Sequence, residues 1–488
     1  MPPSHIAILG GGLTGLSSAY HLSRKFPSSL ITLLEKQPRF GGWVRSERVQ
    51  VKDERGNMAS VVLEAGPRTL RPNAKSVLEL INLLELKSSL VLTRKTSPAA
   101  KNRFLYIPGT NGLQLIPSSI TSFFSSSLAR ILVPAILREP FRRYNRPPGI
   151  TDESLDSFLI RRFGEPFART FGSAMVHGIY AADSRILSVR AAFPTVWDAE
   201  ENGGGSVIRG LLSKNERGEA AVDYVLGDMV TAMDGVSVFS FKEGIRTLTD
   251  ALVLELKRNP KVQLQSGVGV TSLRLNPLHQ TFEITTSSHF SFKASHVVST
   301  LSPPVLNILL PPSLPLPHLT ENTSSSVTVM NIVFPPSLSG HPIHPPGFGY
   351  LIPRPSSGYD TSNSGILGTV FDSSALSGQD TGRLIKLTIM LGGPHPLTPS
   401  HTSLPVVLKH LASHLGHPLP EPLLVHSHSH ASCIPTLSVG HLERMDELRA
   451  VLKALPWNGR LEVIGAGVGG VSVGDCLEAG KRAGCVWR

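Results

Sequence analysis

The stretch HIAILGGGLTGL, residues 5–16, decides the fold of this chain. A short apolar strand, His5–Leu9, is followed by three glycines with the spacing G-x-G-x-x-G, at Gly10, Gly12 and Gly15, and then by a predicted helix. The first glycine allows a tight turn, the second lets the backbone approach a pyrophosphate, and the third lets the helix pack closely on the strand. The helix N-terminus also offers N–H groups to an anion. The stretch therefore predicts a Rossmann-type nucleotide site.

A carboxylate follows at the position where a nucleotide site of this type binds the ribose. The next predicted strand, Leu30–Leu34, ends in Glu35, which can accept hydrogen bonds from a ribose diol. The glycines alone are also compatible with a tight turn that binds nothing. The order strand, glycine turn, helix, strand and carboxylate favours nucleotide binding.

Two further glycine segments extend the predicted site. Gly41-Gly42-Trp43 lies one short loop beyond Glu35, and Val463–Ser472 carries a second glycine-rich strand end that leads into a C-terminal helix. Each could be an ordinary turn or a packing feature when taken alone. A second cofactor-binding segment so far along the chain suits contacts to a flavin ring and its ribityl chain. An NAD(P) dehydrogenase would not need such a segment. The two ends together predict FAD.

The amino-acid composition limits the classes of binding partner that we expect. Charged residues make up 17% of the chain, so a larger than usual apolar surface is expected, while a formal net charge of +11 favours anionic partners such as acidic lipid or a carboxylate substrate. Aromatic residues are only 6% and no dense Lys/Arg run is interleaved with them, so no nucleic-acid partner is expected. Cys433, Cys476 and Cys485 form neither a disulfide framework nor a metal-ligand pattern. We expect no secretory signal, no arginine-rich presequence and no membrane-spanning helix.

Several motifs together carry a family resemblance. GGGLTGL at residues 10–16, RFGGW at residues 39–43 and GAGVGGVSVGDCLEAG at residues 465–480 resemble the amine-oxidase superfamily of flavoproteins, and within it the protoporphyrinogen oxidase family. The resemblance runs nearly end to end. Its other segments are Glu64–Pro72, Lys101–Tyr106, His177–Arg185, Gly347–Pro353, Thr388–Gly393 and Ala431–Pro435.

The resemblance implies an activity. It is the oxidation of protoporphyrinogen IX to protoporphyrin IX in haem biosynthesis, with non-covalent FAD, with molecular oxygen as electron acceptor and with hydrogen peroxide as product. No metal and no dedicated catalytic base are expected, because pyrrole NH deprotonation and tautomerisation suffice. The alternatives are a coproporphyrinogen oxidase of the same family, an amine or polyamine oxidase of the superfamily, and a flavin-binding scaffold without activity.

The resemblance also assigns candidate substrate residues. Arg103 matches a propionate-binding arginine, a role that suits a guanidinium fork, and Gly178 matches a glycine at a close approach to the substrate. Apolar side chains that sandwich the macrocycle are matched at three further positions. Structural or core roles are the alternative at each. The substrate set is Arg68, Arg103, Gly178, Phe348, Leu351 and Met390.

The candidate cofactor residues come from both ends of the chain and from one central position that resembles the contact to the adenine side of FAD. They are Gly10, Gly12, Leu13, Thr14, Gly15, Glu35, Lys36, Gly41, Gly42, Trp43, Val270, Gly467, Val471, Ser472 and Val473.

An amphipathic helix is predicted between Ser118 and Leu137, followed at once by basic residues. An apolar stripe beside a basic cluster favours in-plane docking on an acidic bilayer, although a buried amphipathic helix is the alternative. The resemblance implies peripheral, monotopic association with the mitochondrial inner membrane on the intermembrane-space side, a homodimer, and hand-over of product to ferrochelatase. The stripe is Ile120, Phe123, Phe124, Leu128, Ile131, Leu132, Ala135 and Ile136, and the basic residues are Arg138, Arg142, Arg143 and Arg146.

The tract His401–His430 matches the family poorly. We expect its His426, His428 and His430 to lie in a solvated loop and to bind no metal, because a metal site would need further ligands from elsewhere.

α/β patterns return three times along the chain. They predict an α/β fold with α+β elements, in which a Rossmann-like FAD-binding domain of separated segments carries an inserted helical membrane-binding domain and a β-rich substrate domain. The predicted segments are 1–98, 236–300 and 436–488 for FAD, 99–235 for the membrane and 301–435 for the substrate.

Overall fold

The structure is a computed structural model that describes residues 2–52, 56–117, 126–213, 223–336, 342–360 and 364–487. Its strands are β1 (His5–Leu9), β2 (Leu30–Glu35), β3 (Ser46–Lys52), β4 (Met58–Glu64), β5 (Leu90–Arg94), β6 (Phe104–Leu105), β7 (Gln114–Leu115), β8 (Val236–Phe241), β9 (Val262–Ser266), β10 (Val270–Asn276), β11 (Thr281–Thr286), β12 (Ser291–Ala294), β13 (His296–Ser299), β14 (Ser324–Phe334), β15 (Gly349–Leu351), β16 (Ile366–Phe371), β17 (Ile385–Gly392), β18 (Leu424–Pro435) and β19 (Leu461–Val463).

Helices connect and cover these strands. The longer ones are Leu13–Lys25, Lys75–Leu83, Ala129–Arg138, Leu155–Phe163, Ser173–Tyr180, Pro194–Asn202, Arg246–Arg258, Leu404–Leu415, His441–Lys453 and Val473–Lys481. The shorter ones are Pro98–Lys101, Glu165–Phe167, Val189–Ala192, Val207–Leu212, Met229–Ala232, Pro303–Leu309 and Asp372–Ala375, with single turns at Lys87–Ser89, Glu139–Phe141 and Ala168–Gly172.

A five-stranded sheet with the order β19-β13-β1-β2-β9 forms the centre of the nucleotide-binding part, and every neighbouring pair in it is parallel. Its strands come from the beginning, the middle and the end of the chain. Buried apolar runs such as Ile6–Leu9 suit a parallel sheet, because both of its faces are covered, one by helices and the other by helices and the antiparallel sheet of β10, β11 and β12. The predicted α/β fold with a Rossmann-like sheet of separated segments is confirmed, while the exact domain boundaries stay a prediction.

A seven-stranded sheet with the order β18-β14-β17-β16-β15-β6-β7 forms the second layer. Side chains alternate between its two faces. Met330, Tyr350 and Ile389 point to one face, which we call the back face, and pack in a core with Val407 and Leu411 of helix Leu404–Leu415.

The opposite face, which we call the front face, can be followed across the sheet by register. One row runs from Leu351 in β15 through Gly368 and Met390 to Val329 and then to His428 in β18. Two of the predicted substrate residues, Leu351 and Met390, therefore lie in one row of the front face, with Gly368 between them.

The third layer is helical and contains paired buried charges. Arg162 is fully buried and donates through Nε and Nη2 to Glu139 at 2.9 and 2.6 Å. Arg146 donates to Glu200 at 2.7 Å, and its guanidinium lies 3.8 Å from the ring centroid of Trp197. The prediction that Arg146 belongs to a basic docking surface is wrong, because acidic side chains of this layer neutralise it.

In the described part of the predicted amphipathic helix, a turn at residues 127 and 128 comes before the helix. Residues 118–125, which include Ile120, Phe123 and Phe124, lie outside the described residues, and the helix runs from Ala129 to Arg138. Leu128 is only 1% exposed and packs with Leu105 and Ala174. The prediction that Leu128 faces lipid is wrong, because the turn before the helix directs it into the core.

The tract His401–His430 is not a loop. It contains helix Leu404–Leu415 and much of β18, in which His426, His428 and His430 are paired with β14. The loop prediction is wrong because alternating His and Ser residues have the two-residue period of an edge strand with one wet face. Within the described ranges, no helix is long and apolar enough to cross a membrane.

Candidate active site

The first glycine turn leaves room where a phosphate would approach. Gly10 has a φ of +102°, and a Cβ on Gly15 would lie 1.9 Å from the carbonyl oxygen of Gly10, so neither position accepts a side chain without disruption. A Cβ on Gly12 would meet nothing closer than the Cα of Gly42, at 3.9 Å. No side chain caps helix Leu13–Lys25. Its first N–H groups are therefore available to an anion.

The C-terminal helix begins beside the same turn. A Cβ on Gly465 would lie 3.1 Å from Oγ1 of Thr14, and Ser17 donates to the carbonyl of Leu477 at 2.8 Å. Helix Val473–Lys481 is capped by Ser472, whose hydroxyl accepts from the backbone N–H of the third helical residue. The two ends of the chain thus meet, and the helices that follow the two glycine segments pack against each other.

The remaining predicted residues of the C-terminal glycine segment lie in the turn between β19 and that helix. Gly467 has a φ of +90°, and a Cβ there would come within 3.2 Å of Pro303. Val471 is half-buried against the helical layer, and Val473 is buried at the first position of the helix. This turn therefore joins the nucleotide sheet to the helical layer.

Glu35 organises the adenosine end of the site. Its two carboxylate oxygens accept the backbone N–H groups of Gly11 and Gln37, each at 2.8 Å. The N–H of Val268 donates to the backbone carbonyl of Glu35 at 2.9 Å, and a Cβ on Gly269 would touch Lys36 at 3.4 Å. These contacts bring the segment that leads into Val270 beside Glu35 and Lys36, although the segments are far apart in sequence.

The Gly41-Gly42-Trp43 loop is fixed by an arginine that sequence analysis missed. Arg39 donates through Nη1 to the carbonyl of Val44 at 2.9 Å and through Nη2 to that of Gly42 at 2.7 Å. Burial, with Arg45 nearby, lowers the pKa of Arg39. The sequence signal was a cation two residues before a pair of glycines.

Taken together, these segments fit FAD. The glycine turn and the uncapped N-terminus of helix Leu13–Lys25 would hold the pyrophosphate, Glu35 would hold the ribose, and the Gly41–Trp43 loop would run beside the rest of the flavin. Each carboxylate oxygen of Glu35 has a further lone pair for a ribose hydroxyl, since each accepts one backbone N–H.

Apolar substrate candidates line the front face. A Cβ on Gly178 would lie 2.8 Å from Cδ2 of Leu351, so the absence of a side chain lets helix Ser173–Tyr180 approach β15 closely. Met390 is half-buried beside Val329 and Leu367. The structure therefore brings Gly178, Leu351 and Met390 onto one wall.

Arg103 lies at the edge of this wall. Its guanidinium carbon is 5.7 Å from the ring centroid of Phe348, and Phe348 donates its backbone N–H to the carbonyl of Asn102 at 3.0 Å. Partial burial and the nearby Arg71 lower the pKa of Arg103. An arginine nevertheless remains charged at neutral pH. Arg103 thus offers a cation next to a flat aromatic ring.

Arg68 has a different environment. It is buried, and its Nη1 lies 3.6 Å from Oδ1 of Asp372. Within the described ranges that Nη1 has no hydrogen-bond partner. Asp372 therefore compensates the charge of Arg68, but in the described residues the buried Nη1 donates no hydrogen bond.

Polar residues that sequence analysis missed connect Asp372, the ion-pair partner of Arg68, to Glu64. Thr388 lies 2.6 Å from Asp372 Oδ2, and Asn331 donates to the backbone carbonyl of Glu64 at 3.1 Å. Burial raises the pKa of the Glu64 carboxyl to about 7, although hydrogen bonds from Ile245 and Ser46 oppose the shift. The available sequence signal was Asn331, a polar residue within an apolar run of β14.

Comparisons with known proteins agree with this geometry. A family model described as flavin containing amine oxidoreductase matches residues 13–486. The chain is 33% identical to protoporphyrinogen oxidase of Schizosaccharomyces pombe, covering 97% of this chain and 96% of that protein. It is 32% identical to protoporphyrinogen oxidase of Homo sapiens, covering 98% and 97%.

Solved structures share the fold. A putative protoporphyrinogen oxidase from Exiguobacterium has a TM-score of 0.75 at 21% identity, covering 98% of this chain and 97% of that chain. Cyclohexylamine oxidase from Brevibacterium oxydans has a TM-score of 0.63 at 16% identity, covering 99% and 98%. At these identities the likeness shows the fold alone. The family match over nearly the whole length shows that this chain belongs to the flavin-containing amine oxidoreductases, with FAD as its cofactor.

Proposed function

We propose that the protein catalyses the FAD-dependent oxidation of protoporphyrinogen IX to protoporphyrin IX in haem biosynthesis. The observation that carries the proposal is Arg103 beside Phe348, at the edge of an apolar wall with Leu351 and Met390. A flat, oily ring with carboxylate tails matches this combination of an apolar wall and a cation. Full-length relatives named protoporphyrinogen oxidase support it.

The overall chemistry removes six electrons and six protons from the substrate, and three O2 molecules become three H2O2. When bound, FAD supplies the two-electron acceptor for each of the three cycles. The wall residues orient the macrocycle and exclude water from it. Leu351, Phe348 and Met390 have no titratable group, so these wall residues do not accept a pyrrole proton.

An amine or polyamine substrate fits this wall less well. Arg103 has no ion-pair partner within the described ranges, and an uncompensated cation at the wall repels an ammonium group. The proposal therefore favours an anionic substrate over a cationic one.

Turnover measurements test this choice. Hydrogen peroxide release would be compared for protoporphyrinogen IX, coproporphyrinogen III and spermine with the purified, FAD-loaded protein. We expect turnover of protoporphyrinogen to exceed that of both others. Faster turnover of spermine would overturn the proposal, and faster turnover of coproporphyrinogen would move the substrate to a more carboxylated tetrapyrrole.

We further propose peripheral membrane association through one surface of the helical layer. Phe141 is 84% exposed, Leu137 is 64% exposed and Leu212 is 79% exposed. Glu139 accepts the N–H groups of Val207 and Ile208 at 2.9 and 3.2 Å, so the turn with Phe141 and the helix Val207–Leu212 lie together.

Basic side chains flank these apolar ones. Arg138, Arg142 and Arg143 are exposed, and they supply the charge that an anionic bilayer attracts. A location at the mitochondrial inner membrane on the intermembrane-space side, a homodimer and hand-over to ferrochelatase stay predictions from the resemblance.

A further inference from the structure

We propose that Asp372, held by Thr388, is a positioning residue that orients Arg68 toward a carboxylate of the tetrapyrrole, an inference that rests on the proposed function. Asp372 directly follows β16, the strand between Leu351 in β15 and Met390 in β17. The side chains of Arg68 and Asp372 are 8% and 4% exposed, so water screens their attraction weakly.

The ion pair leaves part of Arg68 unused. The distance of 3.6 Å between Arg68 Nη1 and Asp372 Oδ1 is too long for a hydrogen bond. No described residue accepts a hydrogen bond from this buried Nη1. A buried charged donor without a partner is unfavourable, and a ligand that brings an acceptor recovers that free energy. A carboxylate is the acceptor that best matches a guanidinium.

A closed set of contacts fixes Asp372 in turn. The Thr388 hydroxyl lies 2.6 Å from Asp372 Oδ2 and 2.8 Å from Asn331 Oδ1. Asn331 donates to the backbone carbonyl of Glu64, the residue that ends β4 just before the loop with Arg68. The series of contacts from Arg68 through Asp372, Thr388 and Asn331 thus ends at Glu64, beside the loop that carries Arg68.

This arrangement couples the nucleotide-binding part to the substrate wall. Thr388 and Asn331 lie opposite one another on the front face, in the row next to Met390. The N–H of Phe371, the residue before Asp372, donates to the carbonyl of Phe348 at 2.9 Å. Asp372 is therefore attached both to Arg68 and to the segment with the aromatic ring that Arg103 covers.

The test compares the diacid with a substrate that has no carboxylate. Steady-state kinetics of FAD-loaded Asp372→Asn and Thr388→Val would be measured with protoporphyrinogen IX and with its dimethyl ester. Asp372→Asn should raise KM for the diacid about tenfold, and Thr388→Val about threefold, as expected when a charge-assisted contact is weakened. Neither variant should change KM for the diester, and kcat should stay within about twofold of the wild type if only binding is affected.

Two further variants separate positioning from general packing. Thr388→Ser keeps the hydroxyl and should restore the wild-type KM. Thr328→Val deletes a buried hydroxyl on the back face of the same sheet, where Thr328 contacts Ser429 at 2.9 Å, and should match the wild type. FAD content and melting temperature of each variant report on folding.

The outcomes distinguish the two proposals. An unchanged KM for the diacid in folded Asp372→Asn or Thr388→Val, or an equal rise for the diester, would overturn the role of Asp372 while leaving the proposed function intact. A wild-type protein that turns over neither tetrapyrrole would overturn the proposed function and this role with it.

Discussion

At the scale of single residues, Gly12 and Gly15 belong to one motif but meet different demands. A Cβ on Gly15 would collide with the protein itself, 1.9 Å from the Gly10 carbonyl oxygen, whereas a Cβ on Gly12 would be 3.9 Å from its nearest neighbour. Gly15 is therefore required by the fold. Gly12 is required only if a ligand approaches the turn.

We expect Gly12→Ala to fold with a melting temperature close to that of the wild-type apoprotein but to retain much less FAD. Gly15→Ala should lower the melting temperature of the apoprotein as well, because helix and strand must move apart. Absorbance at the flavin band and thermal unfolding of both apoproteins are the measurements. Full FAD content in Gly12→Ala would show that the pyrophosphate does not bind at this turn.

Arg103 should act mainly in binding. Arg103→Ala removes a charge-assisted contact worth about 1.5–3 kcal/mol, so KM for protoporphyrinogen should rise roughly ten- to a hundredfold with little change in kcat. Lysine at this position keeps the charge but loses the planar fork, and should give an intermediate KM. An unchanged KM in FAD-loaded Arg103→Ala would argue against a propionate contact there.

Residues differ in how far sequence could predict them. The glycine turn and Glu35 were readable because their roles depend on neighbours within one strand–helix–strand unit. Asp372, Thr388 and Asn331 were not readable, because their contacts join strands that pair only in the folded sheet.

At the scale of elements, the helix Ala129–Arg138 shows where a sequence pattern is ambiguous. An apolar stripe faces either lipid or a core, and periodicity alone does not distinguish them. Leu128 lies on the stripe and is buried, whereas Leu137, the residue after the last member of the stripe, is exposed. The two residues therefore provide a matched pair of substitutions.

We expect the double variant Leu137→Ser and Phe141→Ser to bind liposomes with anionic lipid at least tenfold more weakly, since burial of each side chain in lipid contributes about 1.5–3 kcal/mol. Its melting temperature and flavin spectrum should stay unchanged. Leu128→Ser should instead lower the melting temperature, because it places a hydroxyl in a core position. Co-sedimentation and thermal unfolding measure the two effects. Unaltered lipid affinity of the double variant would show that this surface does not bind the membrane.

At the scale of the whole molecule, buried histidines link stability to pH. Burial lowers the pKa of His177, His296 and His395 to about 4 and that of His414 to about 3. Below pH 6.5 the unfolded chain takes up protons that the folded chain excludes. The contribution of these histidines to stability is therefore fully present above pH 6.5 and is lost progressively as the pH falls toward 4.

The melting temperature should consequently fall between pH 6.5 and pH 4.5, and by less in His414→Gln, which lacks one of these groups. Tyr350 lies 2.9 Å from Nδ1 of His414, and glutamine can keep that hydrogen bond. His279→Gln, at an exposed position, is the matched control and should follow the wild type. Parallel curves for all three proteins would contradict the linkage.

The molecule as a whole was predictable in architecture and not in detail. Returning α/β patterns predicted one parallel sheet from separated segments, because each strand–helix unit carries its own pattern. The order of strands in the seven-stranded sheet was not predictable, because it depends on pairing between β14 and strands some fifty to a hundred residues away.

The most direct test of the central claim is rapid anaerobic mixing of the FAD-loaded protein with protoporphyrinogen IX, followed by absorbance at the flavin band. We expect bleaching of the oxidised flavin band that depends on this substrate, with recovery and hydrogen peroxide release when oxygen is admitted. Spermine should leave the band unchanged. A flavin that stays oxidised with protoporphyrinogen but is bleached by an amine would contradict the account.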